Sequence, residues 1–158
     1  MCSNARNRRY RMEQLKQLAS NSVLWVSFLA WFIAQASKVI LTVLTHKRLD
    51  LRRFVGSGGM PSSHTALVVS LATALGEING YDSYIFALSL VFAFVVMYDA
   101  AGVRRAAGKQ AAVLNEIVER LQEGKDVPQE KLKELIGHTP IEVIVGAILG
   151  FVVAKLLV

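Results

Sequence analysis

Apolar residues fall in blocks along this chain, not at scattered positions. Residues 23–45 form a nearly continuous apolar run, broken among strongly polar side chains only by Gln35 and Lys38. Residues 65–75, 84–97 and 141–158 are three further runs. A helix crosses the hydrocarbon core with roughly 20 residues, and about 17 suffice. The first run has that length unaided, while the second and third attain it with their polar ends, as residues 62–78 and 83–98. Asn79-Gly80, within the polar stretch 77–82, predicts a tight turn that folds spans two and three into an antiparallel hairpin. From residue 103 the period changes. Val103, Ala106, Ala107, Leu114, Ile117, Val118 and Leu121 recur every three or four positions with charges between them. That pattern predicts an amphipathic helix, flat on the membrane surface or packed against the bundle. A polar loop (122–128) and a short second amphipathic piece (129–136) follow, and the last span begins at Thr139-Pro140. The expected fold is all-α: an integral membrane bundle of about four transmembrane helices plus one amphipathic surface helix. Residues 1–22 form a basic N-terminal segment, and residues 23–158 one membrane-embedded domain.

Composition supports the membrane reading. Of 158 residues, 53% are apolar, and the mean hydropathy of +0.40 is high for a soluble protein. One domain fits this length. The net charge of +6 comes from basic residues beside the apolar runs, where they face anionic lipid headgroups. No basic face is interleaved with aromatics on a soluble domain, so nucleic acid is not an expected partner. Cys2 is the only cysteine, which excludes an intrachain disulfide. The basic start, the apolar run and Ala34-Gln35-Ala36 resemble a signal peptide, but the run continues past that point and reads as an uncleaved first span. Met12 would also make a natural start. Eleven of the eighteen Lys and Arg lie in the connectors after spans one and three. The positive-inside rule then puts those connectors in the cytoplasm of a bacterial cell membrane.

The chemistry concentrates on that same side. Gly58 and Gly59 let backbone amides approach a ligand, and Pro61 sets the turn into a helix start. Ser62, Ser63 and His64 follow, where free amides and the helix dipole favour an anion. With alternating spans, this loop falls on one face with Asp99 to Arg105 after the third span and Gly137 to Glu142 before the fourth. Each residue also has a structural alternative. Thr139 and Glu142 form a capping box with Pro140 at the first helical position. Ser62 and Ser63 are suited to capping. Asp99 is placed to pair with Arg104 or Arg105, and Lys38 to snorkel to the surface. Gly146 and Gly150 form a small-xxx-small pair for helix packing. His46 has no evident partner, and Lys133 is a reserve phosphate ligand.

Three ordered motifs carry a family resemblance. Gly58-Gly59-Met60-Pro61-Ser62-Ser63-His64, Tyr98-Asp99-Ala100-Ala101-Gly102-Val103-Arg104-Arg105 and Gly137-His138-Thr139-Pro140-Ile141-Glu142-Val143 resemble the signatures of the divergent branch of the type-2 phosphatidic acid phosphatases. The resemblance spans roughly residues 35–150. The wider superfamily, which includes vanadium-dependent haloperoxidases, implies a helical bundle that removes phosphate from lipid phosphates through a phosphohistidine, with no metal or other cofactor. The match departs from the superfamily pattern at defined places. Ser63 replaces a glycine and Glu142 an aspartate. Leu132 stands where an arginine precedes the histidine, and Thr45 and His46 occupy an arginine-proline position after Lys38.

The resemblance implies His138 as nucleophile, Glu142 as the carboxylate that orients it, and His64 as acid to the leaving oxygen. Lys38, Ser62, Ser63, Arg104 and Arg105 would hold the phosphoryl oxygens, supported by Asp99, Gly58 and Gly59. Arginine offers bidentate contacts to phosphate, and histidine titrates near neutrality. The implied substrate is a lipid phosphate, such as phosphatidylglycerophosphate in the cytoplasmic leaflet, or a lipid diphosphate. Other partners are membrane lipids, and the sequence leaves the oligomeric state open. The alternative from another class is a non-catalytic membrane protein that binds anionic headgroups or a partner protein. Vanadate-dependent halide oxidation is a second enzymatic reading.

Overall fold

The computed structural model describes residues 2–46, 59–121 and 137–158, and among them every regular element is a helix. These are α1 (Cys2–Ala19), α2 (Ser22–His46), α3 (Ser63–Asn79), α4 (Tyr84–Ala101), α5 (Val103–Leu121) and α6 (Pro140–Leu157). Local chemistry sets the boundaries. The Asn21 carboxamide oxygen accepts the Leu24 N–H at 3.1 Å and starts α2. Ser83 caps α4 by accepting the Phe86 N–H, and Thr139 caps α6 with Pro140 in its first turn. α3 stops at Gly80, whose φ of +87° suits glycine and folds the chain into the expected hairpin. Gly102 ends α4 with its N–H on the Tyr98 carbonyl, and α5 restarts at the next residue.

α3 lies at the centre, packed against α2, α4 and α6. Its interior is built from small residues. Ala66, Ala72 and Ala74 are buried together with Ser63, Thr65, Ser70 and Thr73. A Cβ on Gly146 would run into the Ser62 carbonyl, and one on Gly150 into the Ala66 carbonyl, so these glycines set how closely α6 approaches α3. Further along, Ala74 and Ala154 meet Val26 in one cluster. The order of these contacts shows that α3 and α6 run parallel. α2 runs antiparallel to them, since Lys38 meets Ser63 while Val26 meets Ala74. The end of α4 meets the start of α6, because the His138 N–H donates to the Ala100 carbonyl at 3.0 Å. Alternating topology therefore gathers the end of α2, the start of α3, the end of α4 and the start of α6 at one end of the bundle.

The large apolar side chains point outward. Trp25, Phe28, Leu88, Val91, Phe92 and Ile144 are exposed, while the interior holds alanine, glycine, serine and threonine. This inside-out distribution suits a lipid solvent, in which close backbone packing holds the helices together. Three helical stretches are long and apolar enough to cross a membrane: Ser22–Thr45, the stretch that begins at Tyr84, and Pro140–Leu157. The expected count of four rests on α3, which has 17 residues. α5 is the expected amphipathic helix. Its Gly108, Ala111 and Asn115 are buried, while Val113, Leu114, Ile117 and Val118 are exposed. α1 is a finding, because the sequence predicted a basic segment there without a helix. Among the described residues α1 packs on no other helix.

Candidate active site

The start of α6 holds the most constrained group. His138 is 3% exposed, and its backbone N–H is anchored on the end of α4. Gly137 precedes it because a Cβ there would collide with the backbone of Arg104 and Arg105. The Glu142 carboxylate does two jobs with one oxygen. Its Oε2 accepts the Thr139 N–H at 3.2 Å, closing the capping box, and lies 2.9 Å from His138 Nδ1. Capping and orientation of the imidazole thus coexist. A carboxylate beside Nδ1 places the ring proton there and leaves the lone pair on Nε2. Nε2 is buried and has no hydrogen-bond partner among the described residues. Buried ring nitrogens are usually satisfied, so this atom is chemically conspicuous.

The start of α3 is tied to the same helix, since the Ser62 N–H donates to the Glu142 carbonyl at 3.0 Å. Ser62 takes up the capping role that its position allows. Its side chain is fully buried, and Oγ accepts the Thr65 N–H at 3.4 Å and the Thr65 hydroxyl at 3.0 Å. Its Oγ thus serves as the cap of α3, and its backbone and Cβ pack beneath Gly146. Ser63 is placed differently. Lys38 Nζ donates to its Oγ at 3.3 Å, and both residues are buried. Lys38 does not snorkel. At 4% exposed it is held inside the bundle, where the opposing charge acting on it is Glu142. An ionisable group at such a depth marks a functional position by default.

His64, one residue further, is exposed at the opening of this cluster. The charged and titratable groups acting on its ring are Arg104, Lys38, His138 and Asp99, which come from the start of α5, α2, the residue pair before α6 and the end of α4. Arg104 Nε forms an ion pair with Asp99 Oδ2 at 2.6 Å, the structural pairing anticipated for Asp99. Both candidate arginines are exposed; the Arg104 charge acts on His64, and the Arg104–Arg105 backbone lies beneath Gly137. Gly59 has a φ of +82° in the approach to Pro61. Gly58, Leu132, Lys133 and the basic connector 47–53 lie outside the described residues.

Two features escaped the sequence. The Lys38–Ser63 contact depends on the relative register of α2 and α3, for which the sequence carries no signal. Gly137 had one, as a glycine immediately before a candidate catalytic histidine. At the far end of the bundle, Lys155 Nζ donates to Glu77 Oε1 at 2.6 Å, and the Tyr81 hydroxyl donates to the same carboxylate. This cluster ties α6 to α3 away from the site.

Chemically, the near end presents a buried imidazole lone pair, a carboxylate behind that ring, a second imidazole, an ammonium and a guanidinium. This set matches a tetrahedral oxyanion. Comparison with known proteins agrees with the motifs. A family model described as the divergent PAP2 family matches residues 19–153. A Bacillus subtilis (strain 168) protein named uncharacterized membrane protein YuiD is 41% identical, over 89% of this chain and 96% of its own length. No solved structure matches the chain.

Proposed function

This chain is an integral membrane protein of the divergent PAP2 family, and from that premise we propose that it hydrolyses a lipid phosphate through a phosphohistidine on His138. The observation that carries the proposal is the His138 ring, with Nδ1 held by Glu142 and Nε2 buried and unpartnered. In the first step Nε2 attacks phosphorus and the bond to the ester oxygen breaks. His64, protonated in the complex with the anionic substrate, gives its proton to the departing alkoxide. Glu142 stabilises the positive charge that the ring carries once its lone pair is used. Lys38 and Arg104 offset charge on the equatorial oxygens, which is the main demand of phosphoryl transfer. In the second step neutral His64 takes a proton from water as the water oxygen attacks phosphorus. The phosphorus–nitrogen bond breaks, inorganic phosphate leaves, and Nε2 recovers its electron pair.

The lysine and arginine bias of the connectors supports a site on the cytoplasmic face, with substrate drawn from that leaflet. The test is phosphate release by the purified full-length protein from a panel of lipid monophosphates and diphosphates. Wild-type turnover that His138→Ala lowers by about 10³-fold or more supports the reading, in line with loss of a group essential to the covalent step. Release that His138→Ala leaves intact overturns it. One observation favours a second reading, a non-catalytic headgroup receptor: Leu132 occupies the superfamily's arginine position. Thermal protection by inorganic phosphate or vanadate without turnover on any lipid would select that reading.

A further inference from the structure

We propose that the concavity at the break between α4 and α5 holds an acyl chain of the substrate, so that the enzyme selects lipid phosphates over water-soluble phosphate esters. This inference rests on the phosphatase reading and adds where the hydrophobic part of the substrate lies. The cavity has a volume of about 500 Å³ and is lined by Phe94, Val95, Tyr98, Asp99 and Val103. That size falls within the range of small-molecule sites, about 300–1,000 Å³. Its walls are apolar or aromatic except for Asp99, which holds the Arg104 guanidinium. Asp99 and Arg104 are also among the groups acting on His64. Asp99 therefore belongs both to the wall of the groove and to the groups around His64.

This layout has the polarity of an amphiphile. From Asp99 back to Phe94, α4 descends about 8 Å at 1.5 Å per residue. The apolar wall thus leads from the headgroup level into the hydrocarbon layer. An anionic headgroup would meet Arg104 while its chain follows Tyr98, Val95 and Phe94. The four apolar and aromatic walls are strongly exposed, Val95 at 61%, so they face the medium that supplies the chain. A second helix seated here would bury the Asp99–Arg104 pair, a cost that a flexible alkyl chain with an anionic head avoids.

The test uses full-length protein in bilayer nanodiscs and a lipid phosphate with a photoactivatable diazirine on its acyl chain. Labelled positions are mapped by mass spectrometry, against a diacylglycerol probe with the same chains and no phosphate. The expected result is labelling concentrated on residues 94–103. Excess unlabelled lipid phosphate suppresses it, and the diacylglycerol probe does not reproduce it. Val95→Trp, and separately Val103→Trp, should lower that labelling at least about fivefold, and neither change enters the packed interior. Labelling spread evenly over the outward faces of α2, α4 and α6, or matched by diacylglycerol, overturns the inference. The readout needs capture and not hydrolysis. A protein that labels here but releases no phosphate keeps the groove and loses the catalytic proposal. A protein that releases phosphate without this labelling does the reverse.

Discussion

At the scale of single residues, the account turns on what one carboxylate and one ammonium do. Glu142 both caps α6 and faces His138 Nδ1, and the two roles separate on substitution. In Glu142→Gln the amide oxygen can still accept the Thr139 N–H, as glutamine does in capping boxes. The negative charge that steadies a positive imidazole is lost. Thermal stability in detergent should therefore change little, while kcat falls about 100-fold, equivalent to about 2.7 kcal/mol of barrier. A matched fall in stability and activity would reduce Glu142 to a cap. Lys38 gives the opposite sign. Removing a buried charge in favour of an apolar side chain of similar size is often neutral or stabilising. Lys38→Met should keep or raise the melting temperature while lowering turnover about 100-fold, the order seen when one stabilising donor is removed. Unchanged turnover would show that Lys38 serves only Ser63.

At the scale of elements, the site is held together by close packing between α3 and α6. A Cβ on Gly150 would stand 3.0 Å from the Ser70 nitrogen as well as meeting the Ala66 carbonyl. Gly150→Leu should force the two helices apart and lower stability by about 1–3 kcal/mol or more, as overpacking does. Its melting temperature should drop clearly below that of wild type. Lys155→Ala removes a contact at the far end and should leave phosphate release at the wild-type rate. The elements were legible in the chain to different degrees. The helix at 103–121 was readable because its apolar residues keep a helical period, and the start of α6 because Thr139, Pro140 and Glu142 form a capping signal. α1 was not readable, since a basic stretch without an apolar face has no periodic signature. The cap at Glu142 followed from its spacing, three residues after Thr139, and its place beside His138 from the family resemblance. The Lys38–Ser63 contact did not, because it depends on how α2 and α3 are rotated against each other. The capping role of Ser62 was readable from its place just before an apolar helix.

At the scale of the whole molecule, alternating helices with small-residue interfaces bring groups from positions 38, 63–64, 99–104 and 138–142 to one end of a membrane bundle. The opposite end carries the Glu77, Tyr81 and Lys155 cluster, which fastens α3 to α6. The two ends of the bundle thus carry different polar clusters. A covalent route through His138 makes a specific demand on this architecture. Purified protein incubated with a lipid phosphate carrying radioactive phosphorus and quenched in denaturant should retain label on the chain. Phosphohistidine is acid-labile and base-stable, and peptide mapping should place the label on His138, with none in His138→Ala. Turnover of the same lipid with no trapped phosphoprotein, or with label on another residue, would contradict the account.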